Sequence, residues 1–116
     1  MIKKLEEIYS KRFEREINPL KNILVTLGAN GSLSSFINGI VNEGDEVVTI
    51  EPCFPMYIDH VSMAGGVFKS AKLDYIDGKY KLDLDSLRAA LSPKTKLFLF
   101  NNPHNPTGKN FSLEEV

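Results

Sequence analysis

Two prolines placed just behind an apolar run constrain this chain more than any other feature. Lys96, Leu97, Phe98, Leu99 and Phe100 read as a buried parallel strand. Asn101, Asn102, Pro103, His104, Asn105, Pro106, Thr107, Gly108 and Lys109 follow at once. Each proline sets its own φ and pushes the residue before it out of the helical region. The chain therefore leaves a sheet and turns sharply. Asn105, held extended before Pro106, is expected to present its amide at the carboxyl end of a strand, where open α/β sheets bind ligands.

Two further stretches have the same design. Residues 22–27 (NILVTL) read as a strand, and Gly28, Ala29, Asn30, Gly31 and Ser32 follow them. Leu33, Phe36, Ile37, Ile40 and Val41 then recur at helical spacing. A small-residue loop between strand and helix aims backbone N–H groups and the positive helix end at an anion, typically a phosphate. It matches neither G-x-G-x-x-G nor the Gly-Lys-Ser/Thr of a P-loop. Residues 46–51 (EVVTIE) read as a third strand, and Phe54 stands where that strand gives way to a helix opening at Pro55. Three strand ends thus offer a phosphate cradle, an exposed aromatic face and an oriented amide, which a flat phosphorylated heteroaromatic cofactor would use together.

The remaining segments read as scaffold. Residues 2–17 form an amphipathic helix of mixed charge rather than a signal peptide, with Leu5, Ile8, Tyr9, Phe13 and Ile17 on its apolar face. Gly65 and Gly66 close the helix that Pro55 opens. Residues 67–73 and 79–82 are short strands joined through the Asp77-Gly78 turn. Asp83 or Asp85 caps a helix carrying Leu84, Leu87, Ala90 and Leu91, which Ser92-Pro93 closes. Strands alternating with helices predict an α/β fold of three layers, a mostly parallel sheet with helices on both faces. A net charge of −1 without a basic cluster gives no reason to propose nucleic acid, and no apolar run is long enough for a membrane span. A single cysteine, Cys53, favours a reducing compartment.

Four separated blocks resemble the fold-type I pyridoxal-phosphate aminotransferases of class I/II, and among them the kynurenine–oxoglutarate (glutamine K) transaminase group. They are residues 23–33 (ILVTLGANGSL), 42–57 (NEGDEVVTIEPCFPMY), 63–66 (MAGG) and 94–115 (KTKLFLFNNPHNPTGKNFSLEE). The resemblance implies pyridoxal 5′-phosphate as cofactor, amino acid and 2-oxo acid substrates, a homodimer and a cytoplasmic enzyme, with mitochondria as the alternative. It implies that the backbone of Gly28, Ala29 and Asn30 holds the cofactor phosphate. Phe54 would stack on the ring, Asn105 would bond the phenolic oxygen, and Asn101 would lie near substrate or serve structure. His104 is expected to support the site rather than act as a base, Tyr57 to be packed, and His60 to be structural.

The resembled family places the cofactor-anchoring lysine beyond the Asn-Pro-Thr-Gly block, so Lys109 does not take its place. No catalytic residue is therefore expected within residues 1–116, which read as one partial cofactor-binding large domain. Ser112 and Glu115 have the spacing of a capping box, and only one turn follows, too little for a stable helix. This reads as a fragment, expected to be marginal or self-associating through exposed sheet edges. A noncatalytic product with residual cofactor binding is the second reading. A small nucleotide-binding domain is the third, and it leaves Phe54 and Asn105 unexplained.

Overall fold

The computed structural model describes residues 1–116, which divide into two compact units, 1–32 and 33–116. The first unit opens with α1 (Ile2–Arg12), shorter than the helix expected over residues 2–17. Glu14 takes a positive φ of 50°, which ends the helical path, and Tyr9 stacks on Phe13 at 5.7 Å. The hydroxyl oxygen of Ser10 accepts from the Ile17 N–H across this reversal. A single turn, α2 (Pro19–Asn22), follows, capped by Asn18, whose side chain accepts from the N–H groups of Leu20 and Lys21.

Residues 23–27 run on without any ladder, so the strand expected at 22–27 is not formed. The unit contains no strand to pair with, and an extended segment without a neighbour has no partners for its main-chain groups. Leu24 and Leu27 are correspondingly exposed. The helix that follows, α3 (Gly28–Ile40), starts at once, so Gly28, Ala29 and Asn30 form its first turn rather than a separate loop.

The second unit is built on a four-stranded sheet. Its strands are β1 (Glu46–Glu51), β2 (Val67–Ile76), β3 (Lys79–Leu82) and β4 (Thr95–Leu99), in the order β3-β2-β1-β4. β1 lies parallel to both β2 and β4, and β3 is antiparallel to β2. The hairpin closes over Asp77 and Gly78 alone, both at positive φ (51° and 76°), the twist that a two-residue turn between right-handed strands requires. Because the turn is so tight, β2 continues to Ile76, three residues past the expected Leu73.

Alternate residues of β1 feed two apolar layers. Val47 packs with Ile37 of α3, with Val41 just past its end, and with Val61 of α4 (Met56–Met63). Ile50 points to the other face and joins Leu73 and Phe111. On that face α5 (Leu84–Ala90) lies along β2, and the Lys72 N–H donates to Ser86 Oγ. Asp83, not Asp85, is the cap of α5, accepting from the N–H groups of Asp85 and Ser86. Pro55 sits at the N-cap of α4, one place earlier than a first-turn proline, and Gly65 follows its end at φ 76°. The sheet is thus covered by helices on both faces. β4 corrects one expectation: it is the edge strand, bonded on one side only, and its residues alternate between half-buried and exposed.

The amino end of the sheet is tied by a buried carboxylate. Glu46 accepts from the hydroxyl of Ser92 at 2.5 Å and pairs with Lys69 at 2.9 Å. The Ser92 hydroxyl first, and Lys69 second, hold its carboxyl below the usual carboxylate range. A depressed folded-state value means that the stabilisation is complete at neutral pH and is lost as pH falls through the carboxylate range. Glu46→Gln is therefore expected to lower the urea midpoint at pH 7 and to converge on the parent as pH falls. A gap between the two chains that stays constant into acid would contradict this.

Candidate functional site

β1 and β4 are adjacent and parallel, so the loops leaving them emerge side by side at the carboxyl edge of the sheet. The β1 loop holds Cys53 and Phe54, and the β4 loop runs from Phe100 to Lys109. Phe54 is half-buried and meets Tyr57 edge to face, with ring centroids 5.7 Å apart at 79°. Tyr57 is buried at the start of α4, and burial raises its phenol above its usual value, with a smaller contribution from Cys53. It therefore remains a donor, and its hydroxyl lies 3.4 Å from Asn101 Oδ1. Asn101 spends its own N–H on the Pro103 carbonyl at 2.9 Å. Phe54, Tyr57 and Asn101 are in this way linked across two loops. Tyr57 is packed as expected, and its hydroxyl adds an orienting contact. Cys53, raised first by burial and then by Glu51, stays a thiol at neutral pH.

Asn105 is exposed at the head of the β4 loop, and its side-chain amide makes no hydrogen bond within the chain. The loop beneath it is closed by main-chain bonds from His104 N–H to the Lys109 carbonyl (2.8 Å) and from Gly108 N–H to the His104 carbonyl (2.7 Å). The peptide bonds preceding Pro52, Pro103 and Pro106 are cis. Lys109 is not a free amine: its ammonium is 2.7 Å from Glu115 and lies over the Phe111 ring at 4.8 Å. Glu115 also accepts from the Ser112 N–H, so one half of the expected capping box is formed. Lys109 first, and the Ser112 N–H second, hold the Glu115 carboxyl below its usual range.

In the first unit, Gly28 opens α3 at φ 70°, a conformation costly for a side-chain-bearing residue. Its N–H donates to the Thr26 carbonyl at 2.9 Å, and the Thr26 hydroxyl returns a bond to the Gly28 carbonyl at 3.0 Å. Of the three residues expected to bind phosphate, Gly28 thus already uses its N–H within the chain. The first turn of a helix has N–H groups without partners four residues back and carries the positive end of the dipole, the chemistry that suits a phosphate.

The sequence matches the family model for aminotransferase class I and II over residues 1–116. The chain belongs to this family. Among curated aminotransferases it is 43% identical to the kynurenine–oxoglutarate transaminase of Dictyostelium discoideum, across all of this chain and 30% of that protein. It is 41% identical to kynurenine–oxoglutarate transaminase 3 of Bos taurus, across all of this chain and 27% of that one. Among solved structures, the N-succinyldiaminopimelate aminotransferase of Mycobacterium tuberculosis superimposes with a TM-score of 0.89 at 33% identity, covering 98% of this chain and 30% of that one. The chain spans under a third of the length of these family members.

Proposed function

We propose that this chain carries part of the cofactor site of a pyridoxal-phosphate-dependent aminotransferase that moves an amino group between an amino acid and a 2-oxo acid, of the kynurenine or glutamine kind. Family membership and the names of its relatives support the reading. The observation that carries it is Asn105, an amide with nothing to bond in the chain, at a strand's carboxyl edge beside the loop of Phe54. When bound, the cofactor supplies an electron sink for removal of the amino acid's α-proton.

The chain's own residues would hold and orient that group. Phe54 would stack on the ring and fix its plane. Asn105 would donate its amide N–H to the phenolic oxygen. The family resemblance alone would assign the phosphate to the first turn of α3, since a helix's amino end favours an anion. Asn101, held by Tyr57 and by the Pro103 carbonyl, would lie near the substrate.

A second reading, binding without turnover, is favoured by Lys109, whose ammonium is engaged by Glu115 and Phe111. One experiment tests both. The 116-residue chain is titrated with 4′-deoxypyridoxine 5′-phosphate, which keeps ring, phenolic oxygen and phosphate but lacks the aldehyde. It is then assayed with pyridoxal phosphate, kynurenine and a 2-oxo acid. Saturable binding without turnover above that of free cofactor is expected. Absence of saturable binding would refute the cofactor reading, and clear turnover would refute the second.

A further inference from the structure

We infer that His104 is a positioning residue for Asn105, its buried imidazole locking the turn that carries the amide onto the end of β1. The brace is a property of the chain itself, and only what Asn105 touches rests on the cofactor reading above. His104 is 4% exposed, whereas its neighbours Asn102, Pro103, Asn105 and Pro106 are open to solvent. Its Nε2 lies 3.3 Å from the carbonyl oxygen of Ile50, the penultimate residue of β1. A carbonyl only accepts, so Nε2 carries the proton and Nδ1 is left as an acceptor.

Nδ1 takes its bond from the Thr107 hydroxyl at 2.8 Å, and Thr107 Oγ1 accepts in turn from the Lys109 N–H at 3.3 Å. The edge-to-face contact with Phe111, at 6.0 Å and 88°, fills the remaining side of the ring. With both nitrogens committed, the imidazole is a brace and not a base. Asn105 is bracketed by anchored residues, His104 before it and Thr107 and Gly108 after it. An exposed side chain therefore projects from a fixed backbone, and little ordering remains to oppose ligand binding.

The test has two arms on the full chain. In the first, without ligand, exchange at the Gly108 N–H is followed by NMR. His104→Phe keeps an aromatic ring and removes both nitrogens, and it is expected to speed that exchange about tenfold. In the second, binding of 4′-deoxypyridoxine 5′-phosphate is compared among variants. His104→Phe is expected to bind about as weakly as Asn105→Ala, and the double variant no more weakly than Asn105→Ala alone. Thr107→Val, which leaves the ring in place, should fall between parent and His104→Phe, and it serves if His104→Phe does not fold. Exchange and affinity at parental values in both variants would overturn the inference, as would losses that add in full in the double variant. If the parent chain binds no analogue, the cofactor reading fails and exchange at Gly108 alone decides the brace.

Discussion

Ile37→Ala is expected to destabilise the chain by about 2–5 kcal/mol, the range for truncating a buried isoleucine to alanine. Ile37 is fully buried and packs on Val41, Val47 and Val61, so the deleted methyl groups leave a void lined by branched side chains from two helices and a central strand. Branched residues have few rotamers with which to fill it. The loss is large against a folding free energy on the order of 5–15 kcal/mol for a complete domain. The control is one residue away on the same helix. Phe36 is 52% exposed, and Phe36→Ala is expected to change stability by about 0.5 kcal/mol or less. Urea midpoints of the two variants against the parent decide the matter: comparable losses would mean that the end of α3 does not dock on the sheet as described.

Asn105→Ala is expected to weaken 4′-deoxypyridoxine 5′-phosphate binding about 10- to 100-fold, the loss of one hydrogen bond to a charged oxygen. The same substitution should leave the urea midpoint unchanged, because Asn105 is exposed and its amide bonds nothing in the chain. Few residues allow binding and folding to be separated so cleanly. Titration of both chains, with the melts alongside, reads the two effects independently. Unaltered affinity would remove Asn105 from the site.

What the sequence reveals of this fold depends on how local the cause is. β1 is legible to the residue because an apolar run is bounded by Gly44-Asp45 before it and Pro52 after it. The β2–β3 hairpin is legible because Asp77-Gly78 is a turn by its own backbone preference. The run Ile23, Leu24 and Val25 looks equally strand-like, but a strand needs a neighbour, and periodicity says nothing about whether one is present. The same blindness makes β4 look buried. Its apolar composition is visible, whereas its place at the end of the order β3-β2-β1-β4 is a property of topology.

The site divides in the same way. Phe54 and Asn105 can be found from the prolines beside them. The contacts that orient them cannot: Tyr57 reaches Asn101 across 44 residues, and His104 reaches Ile50 across 54. Thr107 has no individual signal at all, since a threonine in a turn is ordinary until a histidine nitrogen is found facing it.

The register between β1 and β4 assigns different parts of the molecule different tasks. Val47, Val48 and Thr49 pair through the main chain with Leu97, Phe98 and Leu99, so neighbouring backbones sit about 4.8 Å apart whatever side chains they carry. The interval between the bases of the Phe54 and Asn105 loops is inherited from that lattice, and His104 and Thr107 then fix the Asn105 turn upon it. On the proposed reading, substitution of the rim side chains Phe54 and Asn105 would change what is recognised without changing where recognition happens. On the proposed cofactor reading, such a scaffold would keep the address of its ligand in the peptide backbone and leave the vocabulary to a few exposed side chains.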